Sequence, residues 1–157
     1  MRLLARNGGQ TLWHLRAGQR DLLLVVLEAS ATRPPRDPGL SRKSPDLDER
    51  YRSDLAEHLA GERALAQETL SESLKDPVRC QERPDGHQWL LDPDQTEVLV
   101  QTLNAIRIGA WERLGCPADP GETDGPLQPG TLEFLDRWLL AIGSRFLEVV
   151  MTELESD

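Results

Sequence analysis

Aromatic residues are scarce in this chain of 157 residues: seven in all, beside 27 leucines. That balance disfavours an aromatic-rich β sandwich and favours helix–helix packing. Cysteine is nearly absent, with only Cys80 and Cys116, both in segments read as loops. One bridge between them is compatible with the sequence, but a domain of this size needs no such staple. The longest apolar run, Leu22–Leu27, is far short of the ~20 residues that span a bilayer, so no membrane partner is expected. Gly8, Gly9 and Gln10 interrupt the basic amino end before any apolar stretch, so a secretory signal is not expected either. The default is a cytoplasmic protein with reduced thiols. Basic charge is outweighed by acidic, 18 residues against 27, for a formal net charge of −9. Such a field repels phosphate backbones at long range, which makes nucleic acid an unfavoured partner unless a segregated basic patch exists. Arginines do gather between positions 2 and 20, and again between 33 and 42 beside Lys43.

Motifs that carry chemistry are missing as well. No His-Glu-x-x-His and no Glu-x-x-His pair occurs, which argues against zincin and ferritin-like sites. Asn7-Gly8-Gly9 leads into a strand, whereas a phosphate cradle leads into a helix. There is no nucleophile elbow, and Cys80 with His87 is a loop thiol near a histidine with no orienting context. No catalytic residue and no cofactor is assigned.

What the chain does have is clear punctuation. MRLLAR and TLWHLR flank Asn7-Gly8-Gly9-Gln10, a hairpin signal over residues 1–16. Gln19–Ser30 reads as a short helix with Leu22, Leu23, Val26 and Leu27 on one side. Three prolines in residues 31–44 mark a linker. Ser44-Pro45-Asp46 opens a helix running to about Leu74, with an N-cap serine, proline at the first position and acid in the first turn. Its stripe comprises Tyr51, Leu55, Leu59, Ala66 and Leu70, with Glu62 in the middle and His58 close by. Pro77 and Pro84 break the chain between Asp76 and Gly86, and His87–Leu91 reads as a third strand. Asp92-Pro93-Asp94-Gln95 is a second helix entry. The helix it opens buries Leu99, Leu103, Ile106, Ala110 and Leu114, widened by Val100 and Trp111, and stops at Gly115-Cys116-Pro117. An acidic Gly/Pro-rich loop precedes a final helix over about 131–153, which buries Leu132, Leu135, Leu139, Ile142, Phe146, Val150 and Leu154. The whole reads as one α+β domain, mainly helical. About four helices pack with a small N-terminal β hairpin or three-stranded sheet, and flexible loops lie near 31–44 and 116–130.

Four polar residues stand out. Arg107 falls within the widened apolar face of its helix, with Asn104 just beyond Trp111. An unpaired buried charge there costs several kcal/mol, on the order of the penalties in. Glu62 interrupts the stripe of the other long helix, so an antiparallel packing would let Glu62 and Arg107 satisfy one another as a core-specifying pair. The functional alternative makes Arg107 an anion clamp lining a cleft, with Asn104 orienting the ligand. Asp54, His58 and Glu62 share one helical face at i, i+4 and i+8, yet no second cluster completes a metal site. The four tryptophans, one per block, read as seals between the hairpin and the helices, or as anchors in a partner-binding patch.

Leu91-Asp92-Pro93, then Leu103-Asn104-x-x-Arg107-Ile108 and Leu114-Gly115, resemble a bacterial family called domain of unknown function twenty-seventeen. Leu132-Glu133-Phe134-Leu135 through Trp138-Leu139-Leu140 is similar to that family's last helix, and the order of hairpin then leucine-rich helix is similar too. The likeness is best over 88–150 and loose over 31–75. An aromatic often found early in the long helix is replaced by Val98, Leu99 and Val100, and the acidic loop at 118–130 is this chain's own. Asn104 and Arg107 match the most recognisable positions. The resemblance implies no particular activity. It does imply a bacterial protein, since genes of the family lie near the ClpS adaptor of Clp proteolysis and some members carry a transcriptional-regulator label. The expectation is therefore a non-enzymatic interaction or regulatory protein with a protein partner, associated with Clp-type regulated proteolysis. The alternatives are a small enzyme or anionic-ligand-binding protein using Arg107, and a DNA-binding regulator.

Overall fold

Two glycines with positive φ start the architecture. The computed structural model describes residues 1–33, 49–117 and 128–156, and side chains within the second stretch from residue 54. β1 (Arg2–Asn7) and β2 (Gln10–Arg16) pair antiparallel with Asn7 opposite Gln10. Gly8 and Gly9 between them take φ 58° and 85°, the geometry of a tight hairpin loop. After α1 (Gln19–Ala31) and α2 (Glu49–Lys75) the chain returns to the sheet as β3 (Cys80–Arg83) and β4 (Gly86–Leu91). It ends with α3 (Pro93–Arg113) and α4 (Leu132–Glu155). The fold is α+β and mainly helical, with four helices and a four-stranded antiparallel sheet in the order β1-β2-β4-β3.

The third strand expected at 87–91 is β4, but a fourth joins it. Residues 80–83, expected as a loop, form the edge strand β3 and bury Cys80. Gln81, Glu82 and Arg83 show no apolar alternation, so backbone pairing to β4 and the Pro84–Asp85 turn impose the strand rather than its own side chains. Gly86 makes the close approach possible. Its φ is 146°, and a Cβ there would lie 2.0 Å from the Leu15 carbonyl oxygen.

Alternation on the two central strands splits the sheet into two faces. Thr11, Trp13, Leu15, Trp89 and Leu91 are buried on one; Leu12, His14, Gln88 and Leu90 stay half-buried or exposed on the other. Trp13 lies directly opposite Trp89, and both indoles find partners for their N–H groups. Trp13 donates to Thr11 Oγ1 and Trp89 to Ser73 Oγ, each at 2.9 Å. Thr11 is tied in turn to Thr96 at the start of α3. That start carries the expected capping box: Asp92 accepts from the Gln95 backbone N–H at 2.8 Å, and Gln95 Oε1 accepts from that of Asp92 at 3.2 Å.

α3 and α4 share the most extensive helix contact. Gly143 lies in this contact, where a Cβ would stand at an ordinary van der Waals distance, 3.4 Å, from Ile106 Cγ2. Leu99, Leu103, Ile106 and Ala110 of α3 face Leu139, Leu140, Phe146 and Val150 in one core. Leu132, expected in that core, is 62% exposed because it lies in the first turn of α4, before the helix reaches its neighbours. α2 docks through its last turns, at Leu70, Ser73 and Leu74, while Leu55, Leu59 and Ala66 are only half-buried. The helix start at Ser44 and the side chain of Tyr51 lie outside the described residues, as does most of the expected loops. Among the described residues, no helix is long and apolar enough to cross a membrane.

Candidate functional site

Glu62 and Arg107 do not meet. The Glu62 side chain is 64% exposed, and its carboxylate stands 3.4 Å from His58 Nε2 one turn earlier on the same helix. The cause is the stance of α2. Its middle turns hold off from α3 across a groove of about 520 Å³, lined on one side by Leu59 and Glu62 and on the other by Asn104 and Ala105. Arg107 leaves α3 on the side that faces α4. Asp54 is exposed like His58 and Glu62, and among the described residues no three His, Cys, Asp or Glu side chains are grouped to hold a metal ion.

A buried ion pair between long helices does exist, with other members. Asp136 of α4 is 3% exposed. Its Oδ1 accepts from Arg113 Nε of α3 at 2.8 Å, and its Oδ2 from Arg33 Nη2, just beyond α1, at 2.5 Å. Arg113 Nη1 also donates to the Arg33 carbonyl at 2.9 Å, which closes the triad. Its sequence signal was of the same kind as that of Glu62. Asp136 sits beside Leu135 and four residues before Leu140 on the buried arc of α4, and Arg113 sits three residues after Ala110 on that of α3.

Arg107 lines a different feature, a cleft of about 560 Å³ between α3 and α4. The cleft is also lined by Arg137, Trp111, Ile108, Leu140 and Ser144. Gly143 lies beside it on α4, with Arg107 N 3.8 Å from the place of a Cβ. Arg107 Nη2 donates to Asn104 Oδ1 at 2.9 Å, so the two residues singled out in sequence are hydrogen-bonded to one another. Asn104 is neutral, however, and Arg107 Nε is buried with no hydrogen-bond partner. Arg137 Nε, by contrast, lies 3.2 Å from Glu133 Oε1. Trp111 is 38% exposed, and its indole N–H donates to the Pro117 carbonyl at 3.1 Å, which fixes the ring at the rim.

The remaining candidates disperse. Cys80 and His87 lie on neighbouring strands two register positions apart, but burial pushes the Cys80 thiol up in pKa, the opposite of an activated nucleophile. Arg6 donates to the Leu154 carbonyl and Arg20 to that of Leu74. Arg33 is engaged by Asp136, while Arg36, Arg42 and Lys43 lie outside the described residues. Comparisons with known protein families, with curated proteins and with solved structures find no match.

Proposed function

We propose that this chain is a non-enzymatic interaction protein of the bacterial cytoplasm whose α3–α4 cleft receives a carboxylate of a protein partner, with Arg107 as the clamp. The observation that carries this reading is the incomplete pairing of Arg107. A half-buried cation with one neutral partner and a buried unpartnered Nε is costly until an anion arrives. A carboxylate matches the guanidinium fork. Ile108 and Trp111, each 38% exposed, supply the apolar contact beside it, and Trp with Arg is the pairing enriched where binding energy concentrates.

Arg107→Met separates this reading from a structural one. Acetylated tetrapeptides ending in Leu-Asp should shield Trp111 from acrylamide quenching in a Trp138→Phe background, which removes the half-buried Trp138; Trp13 and Trp89 are fully buried and contribute little to that signal. The variant should lose the protection and melt no lower than the wild type, because the change removes an unpaired charge rather than a pair. A loss of several kcal/mol of stability would mark Arg107 as a core-specifying residue and sink the clamp. Protection by inorganic phosphate or citrate, with none by peptides, favours the second reading: a protein for a small anionic ligand.

Association with Clp-type regulated proteolysis rests on the resemblance around Asn104 and Arg107. A pull-down at native expression that recovers no Clp component removes it. The DNA-binding reading has less support, since Arg6, Arg20 and Arg33 bond to groups of the chain itself.

A further inference from the structure

We infer that the open face of the sheet is a second docking surface, one that takes an acidic amphipathic helix of a partner protein. The strand register places Arg2, His14, Gln88 and Gln81 in one cross-strand row, and Arg16, Gly86 and Arg83 in another. Leu12 opposite Leu90 forms an apolar row next to the first of these. Arg2, Arg16 and Arg83 are all exposed. Arg83 bonds only the neutral amides of Gln88 and Gln81, at 3.0 and 2.7 Å. Neither Arg2 nor Arg16 pairs with a carboxylate among the described residues. Among the described residues, Asp85 reaches this face and is held 3.4 Å from His14. Three uncompensated guanidiniums on one face, in a chain with nine excess negative charges, call for an anionic counterpart.

Geometry and chemistry select its class. Four strands span about 14 Å between the edge strands that carry Arg2 and Arg83. A helix about 10 Å wide laid parallel to the strands, over β2 and β4, would therefore have Arg2 on one flank and Arg83 on the other, where i, i+3 and i+4 carboxylates can reach them. A single nucleic-acid strand fits less well. Trp13 and Trp89 point to the opposite face, so this face offers no aromatic platform for bases. A polyphosphate would also carry its charge onto the acidic remainder of the surface, whereas a helix places carboxylates only over the arginines. A second copy of the chain would set arginines against arginines.

The test uses the full chain and a fluorescein-labelled helical peptide of about 18 residues with leucines on one face and glutamates on both flanks. Fluorescence anisotropy should show binding that weakens between about 50 and 300 mM salt. The triple variant Arg2→Gln, Arg16→Gln, Arg83→Gln should bind at least about tenfold more weakly, a difference of about 1.4 kcal/mol, with an unchanged melting curve. Arg107→Met should bind as the wild type does, which keeps this surface distinguishable from the α3–α4 cleft. Equal affinity of the triple variant, equal affinity for the peptide with glutamines in place of glutamates, or no binding at all overturns the inference. So does tighter retention of single-stranded DNA or of anionic vesicles.

Discussion

Asp136 is the residue on which three segments of the chain converge. Its carboxylate is nearly buried, with 4% of the side chain exposed, and the Arg113 side chain is 7% exposed. Charges so far from water are stabilising only as a set. Asp136→Ala would leave Arg33 and Arg113 facing one another without a counter-charge, and should cost about 3–5 kcal/mol in chemical denaturation. Replacing all three members together, as Arg33→Met, Arg113→Met and Asp136→Leu, should recover most of that loss, because no buried charge remains. Gly109 belongs to this arrangement too: a Cβ there would stand 3.1 Å from Arg113 Nη1, so even alanine crowds the guanidinium. The sequence pattern favoured a buried arginine–carboxylate pair from the outset. That pattern points to Arg107 with Glu62, and the structure puts the pair instead at Arg113 with Asp136, because each interrupts an apolar stripe and only the packing of the helices decides which side chains face.

Among the elements, the β3–β4 hairpin shows how little a strand needs from its own side chains. Cys80–Arg83 is held by its register with β4 and by a tight turn that delivers Gly86 against β2. Gly86→Ala should therefore lower stability by about 3 kcal/mol, or roughly 10 °C in melting temperature, through backbone strain and the clash with the Leu15 carbonyl. A loss below about 0.5 kcal/mol would mean that the strands part easily there. α3 is the opposite case, since Asp92, Pro93 and Gln95 announce its start locally and the structure places the cap at Asp92. Local capping is short-range chemistry and survives in sequence. Edge pairing is supplied by another strand and does not.

At the scale of the whole molecule, stability should carry the signature of a thiol in the core. Burial raises the Cys80 pKa above its ordinary value of 9.0. The unfolded chain then ionises at lower pH than the folded one, so the thiol contributes stability that is fully present below about pH 9 and lost as pH rises through the folded pKa. Denaturation midpoints measured from pH 8 to 10.5 should fall more steeply for the wild type than for Cys80→Val, and parallel curves would refute the linkage. The charge of the molecule is organised at the same scale. An acidic chain places Arg107 and Arg137 in the lining of one cleft and three further arginines on an open sheet face, the two places where partners are proposed to bind.

The sequence by itself determined the class and the outline: glycines fixed the first turn, capping residues fixed the start of α3, and leucine spacing fixed the buried arcs of α3 and α4. Asn104 and Arg107 were legible as a unit because residues three apart on a helix are neighbours whatever the fold. Only the tertiary structure decided that α2 stands away from α3 at Glu62, that Asp136 is the buried carboxylate, and that Arg107 opens into a cleft. Those outcomes depend on which helix faces meet and how closely, and no local pattern encodes that distance.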